Sequence, residues 1–229
     1  MRAFVAIISG LLFSMQAHAA GADRIPGARY PSARGSGMGD SLLGFADDAQ
    51  GALFYNPAMF GKIKSANLEP LNFKLSGNLD LIRSLGVDSY KYSGRSKYID
   101  YLLAHRGDKP SHEFAVFPNI TLPGFGFGLL YQSRTHATGI DPNYSYKSRT
   151  ELIPTLGTGF RLASGVLRFG YSLQWVNRTE GQGTVSFASN SASVTNETRG
   201  SGSGFSHNGG MTVTLPYMYQ PSFQFVARN

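Results

Sequence analysis

The chain offers few side chains that could perform chemistry. It has no cysteine, which excludes thiol nucleophiles, disulfides and zinc sites built on thiolates. The histidines of the chain body lack a metal-binding spacing and stand at positions 105, 112, 136 and 207. Ser206, His207 and Asn208 have the residue types of a hydrolytic triad, but neighbouring strand residues point to opposite faces. We therefore predict no enzyme activity, no catalytic residue, no metal and no cofactor; a membrane hydrolase that uses His207 is an alternative.

The glycine-rich residues 35–39 do not satisfy the requirements of a phosphate-binding loop. No strand pattern precedes them, and the later Gly61-Lys62 pair is followed by Ile63, where such a loop needs serine or threonine. Nucleotide binding is therefore not expected.

The composition of the chain indicates its fold class. The chain has 229 residues, of which 41% are hydrophobic and 15% are charged, and it contains 28 glycines. A soluble domain usually has about 25% charged residues. Few charges combined with many aromatics and glycines predict an all-β protein whose solvent is not only water.

The first nineteen residues have the pattern of a cleaved signal peptide. Arg2 is a short basic start, residues 3–15 are apolar, and Ala17-His18-Ala19 has the small-x-small form of a cleavage site. The apolar stretch is too short to span a membrane as a helix, which needs about 20 residues. We expect residues 1–19 to be removed during export.

The body of the chain alternates between apolar and polar residues with a period of two. Residues 124–134, 151–162, 167–175, 210–215 and 222–228 all show this pattern, which is typical of strands with one apolar face. A soluble β-sandwich buries such faces in a dry core, whereas a membrane barrel turns them to lipid. Both architectures remain open from alternation alone.

Three features favour the barrel. The alternating stretches reach 10 residues or more, aromatics such as Trp175, Tyr217 and Tyr219 lie near strand ends, and short connections alternate with long ones at 77–111, 137–147 and 181–203. The last of these stretches has the pattern of a protruding hairpin. We predict a transmembrane outer-membrane β-barrel of about seven strands over residues 67–229. Closed bacterial barrels have an even number of strands, so we expect this portion to be incomplete.

The connection at 77–111 is predicted to contain two short external helices. Its apolar residues recur at helical rather than strand spacing. We expect them to form a substrate-collecting surface, with a bland amphipathic helix pair as the alternative. The residues are Leu81, Ile82, Leu85, Tyr98, Ile99 and Leu102.

Residues 20–66 lack alternation and contain three short motifs in order. These are Gly37-x-Gly39, then Ala46-Asp47-Asp48-Ala49, then Asn56-Pro57-Ala58, before a first strand near Asn67. The arrangement resembles the outer-membrane long-chain fatty acid transporter family, and also the related plugged barrels of the type-nine secretion and conjugal-transfer groups. The close resemblance covers about 45 residues, and the strands that follow only have a compatible pattern.

The resemblance implies that residues 20–66 form a plug inside the barrel. It assigns plug or gating positions to Asp47, Asp48, Asn56, Pro57 and Ala58, although these residues could also serve only to shape the backbone. Local physics is compatible with a short helix at 49–55, because Asp48 can cap its start and Pro57 disfavours helix at Asn56.

Together with the alternating strands, the resemblance implies an exported protein of the Gram-negative outer membrane that takes up hydrophobic small molecules, such as long-chain fatty acids, passively. The alternative is a non-transporting barrel that docks secretion or conjugation partners. The net charge of +7 is expected to face lipopolysaccharide and lipid headgroups near Arg134, Lys147, Arg149 and Arg178 rather than nucleic acid.

If the external helices collect substrate, replacing Leu81 and Leu102 with aspartate should abolish uptake of a fluorescent fatty acid, because charge would replace the apolar surface. The measurement is uptake by cells that produce equal amounts of each protein. Unchanged uptake would contradict the assignment of this loop.

Overall fold

The computed structural model describes residues 48–78, 111–140, 143–188, 191–217 and 219–228. These residues form one antiparallel sheet of nine strands. The strands are β1 (Asn67–Glu69), β2 (Phe73–Gly77), β3 (Ser111–Val116), β4 (Asn119–Leu122), β5 (Phe125–Ile140), β6 (Asn143–Leu162), β7 (Leu167–Ala188), β8 (Ser191–Thr214) and β9 (Ser222–Arg228). The prediction of an all-β protein is confirmed.

The sheet has two more strands than the sequence predicted, because two expected strands are broken at prolines. Pro70 separates β1 from β2, and Pro118 separates β3 from β4. Proline has no N–H to donate to a ladder, which favours a break at these two positions, although β6 continues through Pro154. The main order is β1-β4-β5-β6-β7-β8-β9, and β2 joins the sheet through β3, which also pairs with β5.

The two hairpins at one end of the sheet are much longer than the sequence indicated. β5 and β6 stay paired up to Ile140 and Asn143, and β7 and β8 up to Ala188 and Ser191. The expected long loop at 137–147 is therefore wrong, because residues 137–140 and 143–147 extend the strands. The hairpin expected within 181–203 is present, with one register irregularity between Gln182 and Thr184.

The two faces of the sheet differ sharply in chemistry. One side, called the polar face below, consists of alternate residues that are mostly polar or glycine, many of them buried. Its buried polar members are Asn119, Thr121, Gln132, Arg134, Glu151, Thr155, Ser172, Gln174, Ser206, Asn208 and Thr212. The opposite side, called the apolar face, exposes Phe127, Leu156, Phe160, Tyr171, Trp175, Phe205, Phe225 and other large hydrophobic residues. Among the described residues, no second sheet covers the apolar face, as a sandwich would require.

A helical segment, residues 48–62, precedes the sheet and packs on its polar face. It consists of a π-helical turn (Gly51–Tyr55) and a 3-10 helix (Pro57–Lys62). Leu53, Phe54 and Phe60 of this segment join Phe117, Leu130 and other sheet residues in the hydrophobic core of the described chain. The core therefore lies between the segment and the polar face.

Several expectations concern residues outside the described ranges. The expected signal peptide 1–19, most of the expected plug at 20–66 and nearly all of the expected helical loop at 77–111 belong to this group. Only the ends of that loop are described, where Gly77 pairs with His112. No helix in the described ranges is long and apolar enough to cross a membrane.

Replacing Phe60 with alanine should lower the free energy of unfolding by about 3–5 kcal/mol, the usual cost of emptying a buried phenylalanine site. Phe60 is fully buried, whereas Phe160 on the apolar face is 57% exposed and provides a matched control of the same type. Urea unfolding in detergent measures the free energy of unfolding of the Phe60→Ala and Phe160→Ala variants. The signal is the fluorescence of Trp175, the single tryptophan. Equal losses for the two variants would contradict the position of the core.

Candidate functional site

The helical segment is seated on a band of glycines that crosses four strands. A Cβ added at any of them would overlap or crowd the segment or the core beneath it. The glycine band consists of Gly126 and Gly128 in β5, Gly157 and Gly159 in β6, Gly170 in β7 and Gly210 in β8. Its members lie side by side in the ladder, with Gly126 opposite Gly157, Gly159 opposite Gly170, and Gly170 opposite Gly210.

The tightest approach in the band joins two backbones. A Cβ at Gly170 would overlap the carbonyl group of Pro57 and the nitrogen of Ala58. At Gly157 it would meet the ring of Phe60, which is fully buried. Backbone cannot move aside as a flexible side chain can, so glycine at position 170 is required for the segment to reach the sheet.

Asn56 fixes the segment at its turn between the two helical parts. Its Oδ1 accepts a hydrogen bond from the Ala58 backbone nitrogen at 3.1 Å. Its Nδ2 donates to Gln224 Oε1 at 2.7 Å and lies 3.5 Å from Thr212 Oγ1. One fully buried amide therefore closes the local turn and also joins the segment to β8 and β9.

Three of the other four predicted plug residues lie within the described ranges. Asp48 Oδ1 accepts from the Gly51 nitrogen at 2.6 Å, which confirms the predicted capping of a helical turn. Pro57 and Ala58 are buried against β7 and β8 and begin the 3-10 helix. Asp47 lies outside the described residues. Whether any of these residues gates a passage stays a prediction.

Farther along the polar face, ionic and amide side chains form a continuous chain across five strands, called the charge ladder below. Glu113 lies 3.3 Å from Lys74 and 3.2 Å from Arg134. Arg134 donates to Gln132 at 3.1 Å, and Gln132 in turn donates to Glu151. The ladder thus crosses from β2 through β3 and β5 to β6.

The charge ladder continues from Glu151 to β7. Arg178 Nε lies 2.6 Å from Glu151 Oε1, and Arg178 also lies 3.6 Å from Glu180. Glu180 is held by Arg149 at 2.7 Å. Because the Glu151 carboxylate is only 2% exposed, its pairing offsets a desolvation cost that an unpaired charge could not bear.

Three of the basic residues expected near lipid headgroups lie on the polar face. Arg134, Arg149 and Arg178 are paired there with glutamates, and their contact with lipopolysaccharide or lipid headgroups stays a prediction. The predicted separation of the possible triad is confirmed: Ser206 and Asn208 are buried on the polar face, while His207 is exposed on the apolar face and stacks on Tyr171. In the described ranges, no three His, Cys, Asp or Glu residues are grouped to hold a metal.

The expected substrate-collecting surface falls outside the described residues in its entirety. This holds for Leu81, Ile82, Leu85, Tyr98, Ile99 and Leu102. The glycine band and the charge ladder are the site features that sequence reasoning missed. The band left a signal in the sequence, since glycines occupy alternate positions in its strands. The charge ladder left none, because its contacts depend on the register between strands, and alternation within one strand does not determine that register.

Comparisons of the chain with protein-family models, with curated proteins and with solved structures find no match.

Replacing Gly170 with valine should displace the helical segment, because the new side chain would occupy the position of the Pro57 backbone. The measurement uses Met59→Cys as the only thiol, since the chain has no cysteine and Met59 is 4% exposed. A polar maleimide should react slowly with this thiol in the parent protein and at least ten times faster beside Gly170→Val.

Gly209→Val is the matched control for this change. Gly209 neighbours Gly210 on the same strand but faces the other side of the sheet, and a Cβ there meets nothing within 4 Å. It should leave the labelling rate unchanged. Slow labelling in the Gly170→Val protein would contradict the seating of the segment.

Proposed function

We propose that the protein is an outer-membrane β-barrel that mediates passive uptake of hydrophobic small molecules, and that the helical segment belongs to its plug. The observation that supports this most directly is the inverted arrangement of the sheet. Its apolar face is exposed, and its polar face is covered by a short amino-terminal segment.

The dimensions of the apolar face fit a bilayer. On β7 the outward apolar residues occupy alternate positions from Leu167 to Trp175. On β8 the outward Val213 lies opposite Leu167, and Phe205 lies opposite Trp175. The nine residues from 167 to 175 span eight steps of about 3.3 Å, or about 26 Å, and their number is close to the 9–11 tilted residues that a strand needs to cross the hydrocarbon.

Aromatic residues lie at the two limits of this apolar stretch. Trp175 stacks with Phe205 at one limit, with ring centroids 6.3 Å apart. Tyr217 and Tyr219 are exposed in the turn between β8 and β9 at the other. Amphipathic rings at these levels are typical of membrane interfaces.

The polar face supports a role in passage rather than a purely structural one. A barrel that served only as an anchor would have no need of a separate segment packed into its interior side. Here the glycine band keeps the sheet free of side chains where the segment lies, and Asn56 joins the segment to β9 through a hydrogen bond to Gln224. The resemblance of the Asn56-Pro57-Ala58 motif to plugged transporters agrees with this proposal.

The test is uptake by liposomes that contain the purified full chain. A fluorescent fatty acid trapped by an internal binding protein should accumulate several times faster than in empty liposomes, and folded protein should migrate differently on a gel before and after heating. Gly170→Val should further admit small ions, because the plug is displaced, while Gly209→Val should not.

Two results would contradict the proposal in different ways. A heat-modifiable protein that inserts but passes no solute would favour the barrel that docks secretion or conjugation partners. A chain that does not associate with liposomes at all would exclude a membrane barrel.

A further inference from the structure

A largely open recess lies beyond the helical segment, where polar-face residues of β7 meet residues 200–206 of β8. Its volume is about 450 Å³, within the range of about 300–1,000 Å³ that small-molecule sites occupy. Arg178 and Glu180 of β7 line one side of it, and Gly200, Gly202 and Gly204 of β8 line the other.

The three glycines of this recess differ from those of the glycine band. Each glycine of the band is contacted by the segment or by neighbouring core or backbone atoms, which explains why no side chain is present there. A Cβ added at Gly200, Gly202 or Gly204 would meet nothing within 4 Å. No packing among the described residues therefore accounts for the bare backbone on this side of the recess, which leaves room for a slim bound molecule.

A buried hydrogen-bond acceptor lies next to the inner end of the recess. Gln174 pairs in the ladder with Ser206, which lines the recess, and precedes the lining residue Val176 by two positions on the same face. Gln174 is 2% exposed, and its Oε1 has no hydrogen-bond partner among the described residues. A buried acceptor without a donor costs free energy, so a ligand with an O–H or N–H group would be stabilised here.

The charges around the recess do not favour an anionic ligand. Arg178 contacts Glu151 and Glu180, and Glu180 also contacts Arg149. These two arginines and two glutamates sum to zero charge. A carboxylate that entered the recess would be repelled by the two glutamates, and the two arginines already pair with those glutamates. It would therefore lose its hydration without gaining a positive charge that compensates for the loss.

We propose that this recess binds an uncharged single-chain amphiphile whose terminal hydroxyl donates to Gln174 Oε1, such as a long-chain primary alcohol. Its hydrocarbon chain lies along Val176 and the backbone of Gly200, Gly202 and Gly204. This inference rests on the proposed function in one respect, since it names the class of hydrophobic molecule that the transporter takes.

The experiment uses two photoreactive probes of equal chain length, one a primary alcohol and one a carboxylate, with the full chain in lipid nanodiscs. The alcohol should label peptides that contain residues 176–180 or 200–206, and the carboxylate should label them at least ten times less. Gly202→Val should remove most of this labelling by filling the recess. Gly209→Val adds the same side chain on the opposite face of β8 and should not change it.

Gln174→Met tests the hydrogen bond separately from the space. It should reduce labelling by the alcohol about threefold to tenfold, in line with the loss of one buried hydrogen bond, and leave labelling by a hydroxyl-free alkane probe unchanged. Fluorescence of Trp175 checks that each variant folds.

Equal labelling by alcohol and carboxylate, labelling that survives Gly202→Val, or labelling confined to the apolar face would overturn the inference. Labelling of the recess in a chain that passes no solute would keep the site and reject transport. Solute uptake without labelling of the recess would keep transport and reject this binding site.

Discussion

The close approach of the Pro57 backbone to Gly170 is the contact on which the rest of the described structure depends. A sheet face that consists mostly of polar residues and glycine has little apolar material of its own. The helical segment supplies it, through Leu53, Phe54 and Phe60, and can do so only where the strands have no side chains. The glycine band thus allows a hydrophobic core to form between the helical segment and a sheet face that is otherwise mostly polar.

The polar face is divided between two ways of satisfying buried groups. Near the glycine band, apolar packing excludes water and the single amide of Asn56 satisfies several groups at once. Farther along, the charge ladder pairs each charge across strand boundaries from Lys74 to Arg149. Removing one partner of such a ladder is strongly destabilising, because the charge left behind stays buried without a partner. The members of the ladder therefore constrain one another and the register of the strands.

Alternation along the chain predicted the strands and the two faces of the sheet, because a period of two is a local property of each strand. It fails at Pro70 and Pro118, where the strands break although the alternation continues. It also fails at 137–140 and 143–147, where a polar composition predicts a loop although the residues pair. The capping by Asp48 was predictable for the same local reason. The glycine band and the link from Asn56 to Gln224 were not, since both depend on contacts between distant segments.

That link has a kinetic meaning. Asn56 and Gln224 are 168 residues apart, so the hydrogen bond between them closes a very large loop. The surface that receives the segment is completed only when β7, β8 and β9 have come together, although the segment itself is made first. Long-range contacts of this kind form late because loop closure costs entropy before any contact repays it. The amino-terminal segment must therefore wait for the carboxyl-terminal strands, and its docking reports that the wall of the sheet has been assembled.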